Sequence, residues 1–97
     1  MTRAEEIEQA ASVYAHANPK VWALFVRFTF QLIHAGRSHY SAKAVFERIR
    51  WHVAIDTEAD DFKINNNYTS VFARWFHRQY PAHDGFFRLR ERPSERD

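Results

Sequence analysis

The sequence predicts a mainly α-helical domain of four helices with one or two short β-strands. Two glycines and three prolines in 97 residues leave few turn-formers, which argues against a sheet of many short strands. Apolar residues recur at helical spacing in four segments. The composition, 45% apolar and 16% aromatic, supplies enough large side chains for one hydrophobic core. We therefore expect residues 1–97 to form a single domain.

The first two helices are predicted from their ends. Thr2 followed by Glu5 matches a capping box, which predicts an N-terminal helix from about residue 3 to 16, within segment 1–17. Asn18 and Pro19 then suit the N-cap and first position of a second helix. Ala35-Gly36 ends it, because glycine readily takes the left-handed conformation of a helix stop. The dense apolar stripe between these ends predicts a central core helix.

A third helix is predicted from Ser41, as its N-cap, to about Val53, after a short and extended connector at 37–40. Its predicted inner face carries Ala42, Val45, Phe46, Ile49 and Val53, and its outer side is basic. Residues 56–61 lack apolar periodicity and predict an acidic surface loop, followed by a short strand at 62–64.

Three asparagines, 65–67, mark the start of a fourth helix, Tyr68 to Tyr80, which Pro81 ends. Its predicted inner stripe is aromatic, and its outer stripe consists of Thr69, Ser70, Ala73, Arg74, His77 and Arg78. Residues 86–90 alternate as a strand does, and we expect the tail 93–97 to be frayed.

The net charge of +2 is unevenly distributed along the chain. Residues 1–18 carry −2, residues 19–55 carry +5, residues 56–62 carry −4, residues 63–90 carry +4, and residues 91–97 carry −1. Two basic segments therefore flank an acidic one, a pattern that can place a positive patch on one face. Solvated charge with no partner is the other interpretation of the same pattern.

The sequence has no cysteine, so it has no disulfide framework and no thiolate metal site. The first six residues lack the apolar stretch of a signal peptide, and the most apolar run, 21–33, is interrupted by Arg27 and Gln31. We expect a cytoplasmic protein without a membrane span. The six histidines include no pair at the spacing that would place two ligands on one helical face, so we predict neither metal nor cofactor.

Across residues 19–92, the order of a core helix, an extended connector, two further helices and an arginine-bearing strand resembles winged helix-turn-helix DNA-binding domains. The chain departs from that family in its long acidic linker between the third and fourth helices and in having one terminal strand. Its aromatic and arginine-rich character is also similar to that of small uncharacterised prophage proteins. The resemblance implies a small DNA-binding protein, a transcriptional or phage-type accessory regulator, that reads duplex DNA with helix 68–80.

This resemblance, together with charge, assigns the candidate site residues. Amide, hydroxyl, guanidinium and imidazole groups at the start and on the outer face of a recognition helix can read base edges in the major groove. The residues expected there are Asn66, Asn67, Thr69, Ser70, Arg74 and His77. Basic side chains around them serve phosphates, which supply affinity without sequence information. These are Arg78, Lys63, Lys43, Arg88 and Arg90.

Other classes stay open at this point. Single-stranded nucleic acid could stack on Phe86, Tyr40 or Trp51 beside arginines. A protein–protein adaptor or inhibitor would use an aromatic and arginine surface as its hot spot, and the first helix offers a homodimer interface unless it packs on its own core. A metal-dependent nuclease would use the carboxylates of segment 56–61 with Lys63, although a solvated acidic loop is the commoner meaning of such a run.

Overall fold

The computed structural model describes residues 2–57 and 65–88, with the side chains of 54–57 and 66 excepted. Within them it confirms a mainly helical fold with four α-helices. The helices are α1 (Arg3–Ala17), α2 (Pro19–His34), α3 (Ala42–Thr57) and α4 (Thr69–Gln79). Two short 3₁₀ turns, Asn66–Tyr68 and Pro81–His83, flank α4. No helix in this part of the chain is both long and apolar enough to cross a bilayer.

The cap chemistry confirms where α1 begins and corrects the role of Asn18. The Thr2 hydroxyl accepts the Glu5 amide at 3.2 Å, and the Glu5 carboxylate accepts the Thr2 amide at 3.3 Å, which is the predicted capping box. Asn18 occupies the N-cap position of α2, but its side chain makes no cap bond there. The side-chain amide of Asn18 instead donates to the backbone carbonyl of Tyr14 at 3.0 Å. It therefore satisfies a carbonyl at the C-terminus of α1.

The third helix begins as predicted and continues further than predicted. Ser41 accepts the Ala44 amide at 3.4 Å, in keeping with its predicted cap role. The helix then continues to Thr57, so Asp56 and Thr57 belong to its last turn rather than to the predicted loop. The rest of that loop and the predicted strand at 62–64 lie outside the described residues.

The predicted strand at 86–90 is not confirmed. Its described part, 86–88, makes one isolated parallel bridge between Phe87 and Tyr40, next to a hydrogen bond from the Tyr40 amide to the Phe86 carbonyl at 3.1 Å. This single bridge connects residues 86–88 to the connector at 37–40 without forming a β-ladder. The contact nevertheless joins the segment after α4 to the start of α3.

An aromatic core joins these elements. Phe25 of α2 has no exposed surface, and its ring lies 5.7 Å from that of Phe46 of α3, 5.5 Å from Phe72 of α4 and 5.3 Å from Phe87. The predicted inner face of α3 is confirmed, since Val45, Phe46 and Ile49 are buried. Helix α3 packs against α2 and α4, and α1 packs against the same two helices.

The first helix packs on the domain's own core. Ala11 is fully buried, and Ile7 and Tyr14 lie against the core cluster. The Tyr14 ring faces Tyr68 at 5.5 Å, and burial, with a smaller contribution from Tyr68, raises the pKa of the Tyr14 phenol above its ordinary value. The apolar stripe of α1 therefore packs within the domain, and the homodimer stays a prediction.

Helix α4 is the most enclosed of the four. Five of its eleven residues are buried, and Arg78 and Gln79 are the exposed ones. Two residues predicted on its outer stripe are among the buried ones, since Ala73 has no exposed surface and His77 retains 9%. The prediction of a polar outward stripe along α4 is therefore wrong at these two positions, because α1, α3 and the flanking 3₁₀ turns cover the helix on several sides.

Candidate nucleic-acid interface

The residues predicted to read bases do not form one exposed surface. Thr69, Ser70 and Arg74 are half-buried, and each already takes part in an interaction within the protein. Asn67 is exposed, and its backbone amide donates to the side-chain oxygen of Asn65 at 2.9 Å. The asparagine run therefore starts the 3₁₀ turn before α4. A helix with this environment offers little surface to a DNA groove.

His77 has a structural role inside the domain. Its Nε2 accepts the backbone amide of Phe87 at 3.0 Å, and its Nδ1 lies 3.6 Å from a carboxylate oxygen of Asp84. A ring nitrogen that accepts a hydrogen bond carries no proton, so this contact requires the neutral imidazole. Burial lowers the pKa of His77 below its ordinary value, and the Asp84 carboxylate opposes that shift. His77 therefore fixes the segment after α4 and is not available to a base.

Three predicted phosphate contacts are exposed, and two of them lie at the same end of the molecule. Arg88 directly follows Phe87, the residue bridged to Tyr40, and Lys43 lies in the first turn of α3 just beyond Tyr40. The bridge thus places Lys43 and Arg88 near the N-terminus of α3, where the helix dipole favours anions. Arg78 is exposed near the C-terminal end of α4.

The remaining predicted site residues lie outside the described residues. These are Lys63, Arg90 and the side chain of Asn66. The carboxylates of the nuclease hypothesis lie outside as well, with the side chain of Asp56 among them. Within the part of the chain that the structure does describe, no three histidine or carboxylate side chains gather as metal ligands would.

The structure adds basic residues on α2 and α3 that were not among the predicted site residues. Arg48 is exposed and lies over the ring of Phe28 at 4.3 Å, and it donates to the Gln31 side chain at 2.6 Å. Arg27 is exposed one turn of α2 before Gln31. The segment charge of +5 at 19–55 was the signal that could have identified them. We use the name basic face for Arg27, Gln31, Lys43, Arg48 and Arg88, of which Gln31 and Arg48 are in contact and Lys43 and Arg88 lie near the start of α3.

Aromatic side chains accompany this face. Trp51, one turn after Arg48 on α3, is 71% exposed, the largest exposure among the hydrophobic side chains described. The His52 ring also contacts Phe28, with ring centres 5.5 Å apart and planes at 76°. The Phe28 ring and the Gln31 side chain together position the exposed guanidinium of Arg48 before any partner binds.

Exposed charge is unevenly distributed over the helices. Among the described side chains beyond α1, seven exposed Lys and Arg residues accompany two exposed carboxylates, Glu47 and Asp84. Glu47 is bonded to Arg50 at 2.9 Å, and Asp84 lies beside His77. Helix α1, by contrast, carries one arginine and three glutamates, a net −2. A polyanion is therefore attracted to the exposed cations of the other elements and repelled by the glutamates of α1.

Comparison of the chain with models of protein families, with curated proteins and with solved structures finds no match. Geometry and surface charge are therefore the basis for assigning a function to this chain.

Proposed function

We propose that this protein binds double-stranded DNA through phosphate contacts made by the basic face. The observation that carries the proposal is the charge separation, with exposed cations on α2, α3 and the segment after α4 and acidic side chains on α1. Cations on a protein surface release counterions from DNA, and this release supplies most of the affinity of binding that does not depend on sequence. An accessory or regulatory role at DNA is consistent with such binding.

The proposal differs from the winged-helix mode in the surface that it uses. The element order around the bridge of Tyr40 and Phe87 supports a winged-helix-like arrangement, and we retain it as part of the proposal. Helix α4, however, exposes Arg78 and Gln79 at its last turn and little else, so base reading along its length is not proposed. Contacts from α2 and α3 to phosphates give affinity with weak sequence preference.

Two substitutions with the same change in net charge test the location of the DNA surface. Arg27→Gln removes a cation from the basic face, and Arg3→Gln removes one from the acidic α1 side. We expect Arg27→Gln to weaken binding to a random duplex about three- to tenfold and to reduce the slope of log affinity against log salt by about 0.9, while Arg3→Gln has little effect. Fluorescence anisotropy with a labelled 20-base-pair duplex between 50 and 200 mM salt measures both quantities.

The same titration includes the outcomes that would contradict the proposal. Absence of binding by the unmodified protein at 50 mM salt would end it. Equal losses in Arg3→Gln and Arg27→Gln would show an effect of net charge without a defined face. A single-stranded oligonucleotide that binds more tightly than the duplex, with the preference lost in Trp51→Ala, would move the proposal to base stacking on Trp51.

A second candidate function, protein–protein interaction, is favoured by Trp51. An exposed tryptophan beside a pre-ordered arginine has the composition of an interface hot spot. The partner that can be tested directly is a second copy of the chain. Sedimentation from micromolar to submillimolar protein should then show a dimer that Trp51→Ala dissociates, and a monomer throughout would exclude this partner.

A further inference from the structure

A groove separate from the basic face lies between α1, the start of α2 and α4. It has a volume of about 870 Å³, within the range of cavities that hold small molecules or side chains. Trp22 and Trp75 form part of its wall, with ring centres 6.1 Å apart and planes at 75° to each other. Both indoles are half-buried, so part of each ring remains accessible from the groove.

The charge of this groove is negative. Its described lining includes the carboxylates of Glu5 and Glu8 and contains neither lysine nor arginine. The remaining lining residues are Gln9, Ser12, Ala15, His16, Pro19 and Gln79. A groove with two carboxylates and no opposing Lys or Arg favours a cationic occupant.

One oxygen of each carboxylate accepts hydrogen bonds that position the side chain. The Glu8 Oε1 accepts the indole N–H of Trp75 at 3.4 Å, and the Glu5 Oε1 accepts from Thr2 in the capping box. The first bond holds Glu8 against the Trp75 indole, and the second fixes Glu5 one turn earlier on α1. Among the described residues no hydrogen bond reaches the second oxygen of either carboxylate, which can accept from a ligand.

We propose that this tryptophan groove binds the arginine side chain of a basic peptide segment from a partner protein. A guanidinium stacks on an indole face through cation–π attraction and donates to a carboxylate in the same plane. The two half-buried indoles, with planes at 75° to each other, line the groove that such an occupant would enter. The inference is independent of DNA binding, because none of its residues belongs to the basic face.

Tryptophan fluorescence tests the groove once the third tryptophan is removed. In a Trp51→Phe background, Trp22 and Trp75 are the remaining tryptophans, and excitation at a wavelength that tyrosine does not absorb reports on them alone. The probe is a synthetic peptide of four Gly-Arg repeats, blocked at both ends, and the comparison peptide has four Gly-Gln repeats. We expect the arginine peptide to change the emission saturably and the glutamine peptide to have no effect.

Two neighbouring glutamates on α1 supply a matched pair of variants. Glu8 lines the groove, whereas Glu6 is exposed and is not among its lining residues. Glu8→Gln keeps an oxygen that can accept the Trp75 indole and removes only the charge, so the fold is preserved. We expect at least a fivefold loss of affinity for the arginine peptide in Glu8→Gln and less than a twofold loss in Glu6→Gln.

The other outcomes of the peptide titration would contradict the proposed site or its proposed occupant. Equal losses in the two glutamate variants, with unchanged circular dichroism, would show a general effect of net charge and overturn the site. Absence of a fluorescence change with the arginine peptide would overturn it as well. If sedimentation shows a dimer that the arginine peptide dissociates, the occupant is a second copy of this chain, and the assignment to a partner protein is wrong.

Discussion

At the scale of single residues, His77 shows how a side chain typical of binding sites can serve the fold. Its ring ties α4 to the segment after it through the Phe87 amide. Phe87 is bridged to Tyr40, so the imidazole indirectly fixes the start of α3 as well. Burial of the ring lowers the pKa of His77, and the hydrogen bond that Nε2 accepts requires the neutral form.

The lowered pKa of His77 predicts a dependence of stability on pH. The unfolded state takes up the proton more readily than the folded state, so the contribution of His77 is complete above its unfolded pKa of about 6.5. It is lost as pH falls from that value toward the lower pKa of the folded state. We expect the difference in unfolding free energy between the unmodified protein and His77→Gln to shrink between pH 7.5 and 5.5.

Urea unfolding of both proteins at each pH measures this difference, and the other five histidines, present in both, cancel in it. A difference that is constant across the range would mean that the neutral ring is not required. A difference that grows on acidification would mean that attraction to Asp84 outweighs burial.

At the scale of elements, the structure reverses the environment expected for α4. The polar stripe of α4 was predicted to face outward, but Ala73 and His77 on that stripe are buried. Sequence periodicity reports how polar each side of a helix is, and it cannot show which neighbours will cover a side made of small or hydrogen-bonded residues. Thr29 gives a second case, because it is fully buried on α2 with its hydroxyl donating to the Phe25 carbonyl at 2.6 Å.

The burial of Ala73 predicts that this position does not accept a larger side chain. Ala73→Leu inserts extra carbon atoms into a filled space and should lower the unfolding free energy by about 1 to 3 kcal/mol. Gln79→Leu, at an exposed position of the same helix, should change it by less than about 0.5 kcal/mol. Thermal denaturation compares the two, and equal stability would show that α4 has an open face at Ala73.

Helix ends were more predictable than helix environments. The Thr2 and Glu5 box, Pro19 and Gly36 each specify a local conformation, and all three appear where expected, with Gly36 at a φ of +92°. Asn18 lies between two helices, and its side chain could cap either one. Its side-chain amide reaches the Tyr14 carbonyl, so it caps the C-terminus of α1. The same reasoning applies to α3, whose end at Thr57 has no sequence signal as specific as glycine or proline.

At the scale of the whole molecule, segment charge predicted that a basic surface exists but not which elements carry it. Lys43 and Arg88 were predicted from sequence, and a backbone bridge accounts for their placement at one end of the fold. Arg48 was not among the predicted site residues, because the contacts that position its guanidinium come from Phe28 and Gln31 on another helix. Contacts between residues so distant in sequence have no local signature.

The aromatic core predicts that these surfaces belong to one cooperative unit. Phe25 touches rings from α3, α4 and the segment after α4, so Phe25→Ala removes contacts to several elements at once. We expect a loss of about 3 to 5 kcal/mol, a large share of the stability of a small domain. Val13→Ala, at a side chain 67% exposed on α1, should cost less than about 0.5 kcal/mol.

Urea unfolding followed by far-ultraviolet circular dichroism and by tryptophan fluorescence tests this cooperativity. The two signals should give coincident transitions in both variants, because the indoles of Trp22 and Trp75 pack against the same core that holds the helices together. In Phe25→Ala both midpoints should move together to lower urea. If fluorescence changed well before helicity, α1 and the tryptophan groove would separate from the rest, and the groove would have to be treated as a surface with its own stability.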